Sequence, residues 1–255
     1  AAFGNIIGSN NFNLLFILGV SGLIYPLVVQ RNTIKYEVPI SLIAASVMLL
    51  LVNDQFFTKG ASMELSRGES MILLIGFGLF LLYVYRSMSG ATDLDEGGKI
   101  KIYSTWISIG LVIAGLAMLV GGGKLVVDNA IAIAHHAGLS ERIIGLTILA
   151  AGTSLPELAT SAVAAYGKNT DIAIGNVVGS NIFNVLFILG TTGLIHPVSY
   201  NKALNFDVYI LMASTVLLMV FMFTLGRRQL DRWEAFILLA GYVTYTIFLI
   251  GTENT

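Results

Sequence analysis

Apolar residues run through this chain in eight long stretches, separated by short polar segments that hold most of its charge. The stretches cover approximately 3–25, 36–52, 69–86, 104–134, 141–166, 172–195, 206–225 and 233–251. A helix crosses the hydrocarbon core of a bilayer in about 20 predominantly apolar residues. The fourth stretch is long enough to tilt or to extend past the membrane. A closed β-barrel is the other way to span a bilayer, but it needs apolar and polar residues in alternation. Ile40 to Val52 is apolar on every face instead. The pattern therefore predicts an all-α polytopic membrane protein with eight transmembrane helices.

Composition sharpens this picture. Of 255 residues, 56% are hydrophobic and 11% charged, whereas a soluble domain carries roughly 25% charged residues. The mean hydropathy is +0.82. Fourteen Lys and Arg against 15 Asp and Glu leave a net charge of -1, so no basic domain for nucleic acid is present. The absence of cysteine excludes disulfide frameworks, Cys zinc sites, iron–sulfur clusters and cysteine nucleophiles. No HExxH occurs around His135, His136 or His196, so an intramembrane metalloprotease is not expected.

Basic residues orient the spans, because cytoplasmic loops collect Lys and Arg. One side holds nine, Arg31, Lys35, Arg86, Lys99, Lys101, Lys168, Arg227, Arg228 and Arg232. The other holds four, Lys59, Arg67, Arg142 and Lys202, while Lys124 lies inside a span. The first group is expected in the cytoplasm, which places the N-terminus and Glu253-Asn254-Thr255 outside. The chain then divides into residues 1–86 with three helices, a short cytoplasmic linker over 87–103, and residues 104–255 with five helices.

The two parts share a repeat. Gly4 to Pro26 reads GNIIGSNNFNLLFILGVSGLIYP and Gly175 to Pro197 reads GNVVGSNIFNVLFILGTTGLIHP, with 16 of 23 positions identical at an offset of 171. The copies form the first and sixth spans, so they are predicted to cross in opposite directions. Inverted repeats of this kind are typical of secondary transporters, with ion sites at the midplane between the halves. The same offset places counterparts of the fourth and fifth spans ahead of Ala1. Two further helices, roughly 65 residues, are therefore expected to precede this chain.

The fifth span carries the chemistry. Gly152 and Pro156 interrupt it, and proline displaces the carbonyl of the residue four before it, here Gly152. Freed carbonyls around Ala150 to Thr153 can bind a hard cation where they line a cavity. Glu157 sits near mid-span, where an ionised carboxylate costs at least ~2.5–3.5 kcal/mol and needs partners or water. Thr153, Ser154 and Glu157 fall within about one helical turn. Their hydroxyl and carboxylate oxygens suit Na⁺ or Ca²⁺ rather than a soft metal. A proline kink capped by a carboxylate is the plainer alternative. The repeated segments add Ser9, Asn10 and Asn13 on one helix and Ser180, Asn181 and Asn184 on the other. Ser9 with Asn13, and Ser180 with Asn184, each share a helix face; such groups also serve as interhelical glue.

Gly152-Thr153-Ser154-Leu155-Pro156-Glu157, followed by Gly175-Asn176-Val177-Val178-Gly179-Ser180-Asn181, resembles the second α-repeat of the sodium/calcium exchanger family, prokaryotic in type. Gly4 to Asn13 resembles the end of the first α-repeat. The resemblance implies ten helices in two inverted five-helix halves, with both termini outside. It implies that Glu157 is one of two central carboxylates that bind Ca²⁺, with Thr153 as a neighbouring ligand. Ser154, Ser9, Ser180 and the carbonyl of Ala150 match positions lining Na⁺ sites, and Asn13 and Asn184 match paired polar positions near the centre. Potassium-dependent relatives carry Asp at the Asn184 position, so Asn argues against K⁺ use. The counterpart of Glu157 would precede residue 1, and a fragment with one central carboxylate is expected to bind Ca²⁺ poorly.

The expectation is a multi-pass antiporter of a plasma (inner) membrane that exchanges Na⁺ for Ca²⁺ by alternating access. It requires the lipid bilayer, no cofactor and no obligatory protein partner. The alternatives are H⁺-coupled Ca²⁺ exchange, a channel, or a non-transporting scaffold. Outside this site, Lys124 and Asp128 are expected to pair with each other. Gly121-Gly122-Gly123-Lys124 departs from a Walker A loop at Met118 and Leu125. His135 and His136 are expected at the membrane interface, Asp54, Glu64 and Glu69 as solvated loop charges, and Asp93, Asp95 and Glu96 in a solvated linker.

Overall fold

A computed structural model describes residues 2–53, 63–88, 103–136, 138, 144–224 and 228–253. Most of the expected linker, with Asp93, Asp95 and Glu96, lies outside the described residues. So do Asp54, Lys59, Lys99, Lys101, Arg142 and Arg227.

The apolar stretches form helices, here α1 (Ala2–Ile24), α2 (Thr33–Val52), α3 (Arg67–Ser87) and α4 (Thr105–His136). After a break come α6 (Leu155–Tyr166), α7 (Thr170–Ile195), α8 (Lys202–Phe221) and α9 (Arg232–Gly251). Between α4 and α6, α5 runs as a π-helical turn Ile144–Leu149 into α-helical Ala150–Thr153. Among the described residues, seven helices are long and apolar enough to cross a membrane, and α5 with α6 makes up to eight. The fifth apolar stretch is thus two helices, bent by 57° in the segment where Gly152 and Pro156 are expected to interrupt it. α1 is the most buried of the long helices and α4 the least. Large apolar side chains such as Leu79, Trp106 and Met118 point outward, as lipid contact requires.

Local sequence explains the helix ends. Tyr25 and His196 each precede a proline and take extended backbone, which stops α1 and α7 at equivalent positions of the repeat. Glu69 is not a free loop charge. Its Oε2 accepts from Ser66 N–H at 2.8 Å and Ser66 Oγ at 2.7 Å, while Glu69 N–H donates to Ser66 Oγ at 3.3 Å, a capping box at the start of α3. Glu234 does the same for α9, accepting from Asp231 N–H at 2.8 Å and from the Thr224 hydroxyl. The helix needs its first N–H groups satisfied, which is why these carboxylates turn inward. Glu64, the third expected loop charge, lies in a short strand.

Four two-residue strands, too short to register as alternation in the sequence, tie the helix ends together. They are β1 (Leu27–Val28), β2 (Glu64–Leu65), β3 (Val198–Ser199) and β4 (Gln229–Leu230). β1 pairs antiparallel with β4, Leu27 opposite Leu230, and β2 pairs antiparallel with β3, Leu65 opposite Val198. Each strand that follows a repeated helix therefore pairs with one from the other part of the chain.

The same crossing governs helix packing. A Cβ on Gly22 would sit 2.6 Å from Ala235 Cβ, and one on Gly19 would sit 2.9 Å from Leu239 Cβ, both on α9. Their repeat counterparts meet α3: a Cβ on Gly193 would overlap Ser70 Oγ, and one on Gly190 would sit 3.1 Å from Leu74 Cγ. Glycine recurs at these positions because two backbones approach closely there.

Substituting Gly193 by Leu should force α7 away from α3 and cost about 1–3 kcal/mol or more of stability. Thermal unfolding in detergent reads this as a lower Tm, with Gly78→Leu, which has nothing within 4 Å of its Cβ position, as the control. Equal Tm values for the two variants would contradict the close approach.

Candidate cation site

The break between α5 and α6 is built at Ser154, whose φ of -99° and ψ of 9° leave the helical range. Ser154 N–H donates to the carbonyls of both Ala150 and Ala151 at 3.2 Å, and Leu158 N–H returns to Ser154 O at 2.9 Å. Pro156 lies in the first turn of α6, where its missing N–H is tolerated but leaves the Gly152 carbonyl without its helical donor. Gly152 itself abuts α4, since any Cβ there would overlap the Val127 side chain.

The break, α1 and α7 enclose a cavity of about 530 Å³. Six of the eight candidate residues line it: Ser9, Thr153, Ser154, Glu157, Ser180 and Asn184. The other two stand behind it. Ala150 is fully buried, and its carbonyl is already taken by Ser9 Oγ at 3.2 Å, Thr153 Oγ1 at 3.0 Å and Ser154 N–H. That carbonyl is not freed by the proline, because it lies six residues before Pro156 and neighbouring hydroxyls reach it. Asn13 is also fully buried and donates from Nδ2 to Asn181 Oδ1 at 2.9 Å.

Glu157 is half-buried in the cavity wall. Its Oε1 faces Ser180 Oγ at 3.5 Å, while its Oε2 is buried with no partner among the described residues. A buried oxygen in that state costs free energy until a donor or cation reaches it. Thr153 Oγ1 lies 2.9 Å from Ser9 Oγ and 3.3 Å from Asn5 Oδ1, so α1 and the break meet through hydroxyl and amide groups. Phe183 and Ile188 supply the apolar wall.

Two further asparagines belong here. Asn5 and Asn176 line the cavity, and Asn176 Nδ2 donates to Glu157 O at 3.2 Å and to Ser161 Oγ at 3.0 Å. The second contact ties the start of α7 to α6 just beyond Glu157. The repeated Gly-Asn dipeptides, Gly4-Asn5 and Gly175-Asn176, carried that signal in the sequence. Asn13 and Asn184 lie in π-helical turns, Phe12–Ile17 and Asn184–Leu189, whose wider rings were not foreseen.

Chemically the cavity offers one carboxylate among neutral oxygens. Among the described residues no group of three or more His, Cys, Asp or Glu is placed to hold a metal ion. Hydroxyl, amide and carboxylate oxygens suit hard cations. Beside it, Lys124 and Asp128 border a smaller cavity of about 250 Å³ with Gly152 and Thr153. Among the described residues no ion pair joins them; both are exposed, and Lys before Asp is the weaker order for a helical pair. His135 and His136 close the last turn of α4.

Comparison with known proteins gives a consistent picture. The sequence pattern described as sodium/calcium exchanger protein matches residues 1–86 and 107–251. A putative antiporter, CaxA of Alkalimonas amylolytica, is 37% identical over 98% of this chain and 79% of its own length. Inner membrane protein YrbG of Escherichia coli is 31% identical over 97% of this chain and 76% of its own. The sodium/calcium exchanger MaX1 of Methanosarcina acetivorans is 29% identical over 96% and 79%. Among solved structures, the sodium-calcium exchanger NCX_Mj soaked with 10 mM Na⁺ and 10 mM Sr²⁺ superimposes with a TM-score of 0.74 at 29% identity. That match covers 95% of this chain and 74% of the other.

Ser9→Ala removes the hydroxyl that joins α1 to Ala150 and Thr153. The loss should destabilise the protein by about 0.5–1.5 kcal/mol, the net worth of a hydrogen bond, since Thr153 Oγ1 and Ser154 N–H still serve the Ala150 carbonyl. Thermal unfolding measures it, and an unchanged Tm would show that the Ser9 contacts carry no energy.

Proposed function

The chain belongs to the sodium/calcium exchanger family, and from that membership we propose that it is a secondary antiporter exchanging Na⁺ for Ca²⁺ across the membrane. The observation that carries this reading is the cavity at the α5–α6 break. There Oε2 of Glu157, buried and without a partner among the described residues, stands beside the side chains of Ser9, Thr153, Ser154, Ser180 and Asn184. NCX_Mj and MaX1, both named as sodium/calcium exchangers, support the choice of ions.

In this mechanism one shared set of oxygens holds either Ca²⁺ or Na⁺. Glu157 provides the negative charge that a divalent ion needs, and the hydroxyls and amides replace hydration oxygens for either ion. Ala150 acts from behind the cavity wall by holding the hydroxyls of Ser9 and Thr153 in place, while Asn13 keeps a buried Oδ1 with no partner among the described residues. The ion-bound forms alternate between inward-open and outward-open states, as inverted-repeat transporters do around a fixed site. Residues 1–86 and 104–255 form the two halves, with the linker in the cytoplasm and the C-terminus outside. YrbG, named as an inner membrane protein, supports the plasma membrane as the location.

Reconstituted into Na⁺-loaded proteoliposomes, the full protein should take up Ca²⁺, and K⁺-loaded vesicles should not. Glu157→Gln should lower the uptake by more than about tenfold, as expected for loss of a charged ligand. Normal exchange by that variant would remove Glu157 from the site. Uptake driven by a pH gradient and indifferent to Na⁺ would replace Na⁺ by H⁺ as the coupling ion. A non-saturating conductance would make the protein a channel.

A further inference from the structure

Four asparagines join α1 to α7, and their amides are held in one orientation by groups that can only accept. Asn10 Nδ2 donates to the backbone carbonyl of Asn181 at 3.2 Å, and Asn181 Nδ2 donates to the backbone carbonyl of Asn10 at 3.2 Å. A carbonyl has no proton to give, so neither amide can turn over without setting oxygen against oxygen. With their nitrogens committed, both must present Oδ1 on the other side. Asn10 Oδ1 accepts from Asn184 Nδ2 at 3.0 Å, and Asn181 Oδ1 accepts from Asn13 Nδ2 at 2.9 Å. The chain of constraint therefore runs from two backbone carbonyls, through Asn10 and Asn181, to Asn184 and Asn13.

Its end points matter because Asn184 lines the cavity. An amide has one face that attracts a cation, its oxygen, and one that repels it, its NH₂. Asn184 Nδ2 is held against Asn10 Oδ1, so its own oxygen lies on the opposite side of the amide. The partner position obeys the same rule: Asn13 Oδ1 is buried and has no partner among the described residues. We propose that Asn10 and Asn181 are positioning residues for cation binding, fixing the paired amides of Asn184 and Asn13 so that oxygen rather than NH₂ is available to the ion. This rests on the reading of the cavity as the cation site, and it adds two residues that touch no ion themselves.

An aspartate at 184 offers oxygen on both sides and needs no such orientation, which supplies the test. Ca²⁺ uptake into proteoliposomes is measured as KM and maximal rate for the wild-type protein, Asn10→Ala, Asn184→Asp and the double variant. Asn10→Ala alone should raise the Ca²⁺ KM about tenfold, the size of one lost hydrogen-bond-scale contact to a charged group. In the Asn184→Asp background the same Asn10→Ala change should move KM by less than about twofold. A purely structural role would cost the same in both backgrounds, and that result, or no effect in either, overturns the proposal. The counterpart cycle, Asn181→Ala with and without Asn13→Asp, gives the same comparison if Asn10→Ala does not fold. A wild-type protein without Ca²⁺ flux or Ca²⁺ binding would instead bring down the cation-site reading itself.

Discussion

In a protein surrounded by lipid, an amide that misses its partner has no water to fall back on, and the contact between α1 and α7 is built on that constraint. Asn10 and Asn181 sit at equivalent positions of the repeat and satisfy each other's backbone. Everything polar nearby is then placed relative to that pair. The hydroxyl of Ser9, one residue earlier on α1, reaches Ala150 and Thr153 on α5; that of Ser180, one residue earlier on α7, faces Glu157 on α6. The helix break is thus held from both sides by the two copies of one short motif.

What the break then exposes is economical in charge. Glu157 is the single carboxylate among the cavity's lining residues, and every other polar group there is neutral. A neutral oxygen is cheap to keep in an apolar setting when an internal donor satisfies it, whereas a charge is not. The hydroxyls of Ser9 and Thr153 meet each other, and one carboxylate oxygen, Glu157 Oε2, has no partner among the described residues.

Much of this was legible along the chain. Eight apolar runs announced the helices, the offset of 171 announced the repeat, and Pro156 beside Glu157 announced the break. These signals survive because each is local or repeated. Other features were not legible for equally physical reasons. The 57° bend depends on how α5 and α6 pack, and Gly152 against Val127 is a contact no periodicity encodes. Ala150 sits in the right sequence, yet its carbonyl is consumed by hydroxyls from two helices. Glu69 reads as a loop charge until the N–H group of Ser66 is seen to need it. The amides of Asn10 and Asn181 were visible as residues, but the direction each one faces is set only by the helix opposite.

The crossed strand pairs carry a consequence for how the chain is assembled. Leu27 meets Leu230, and the groove at Gly19 and Gly22 is filled by α9, which is synthesised after every other described helix. The first helix of this chain therefore enters the bilayer long before its packing partner exists. Such pairings between distant parts of a sequence are slow to close. Until α9 has been made, the Gly19 and Gly22 face of α1 lacks the helix that covers it in the folded protein. Insertion and packing are thus separated in time, and the arrival of α9 decides when α1 is locked in place.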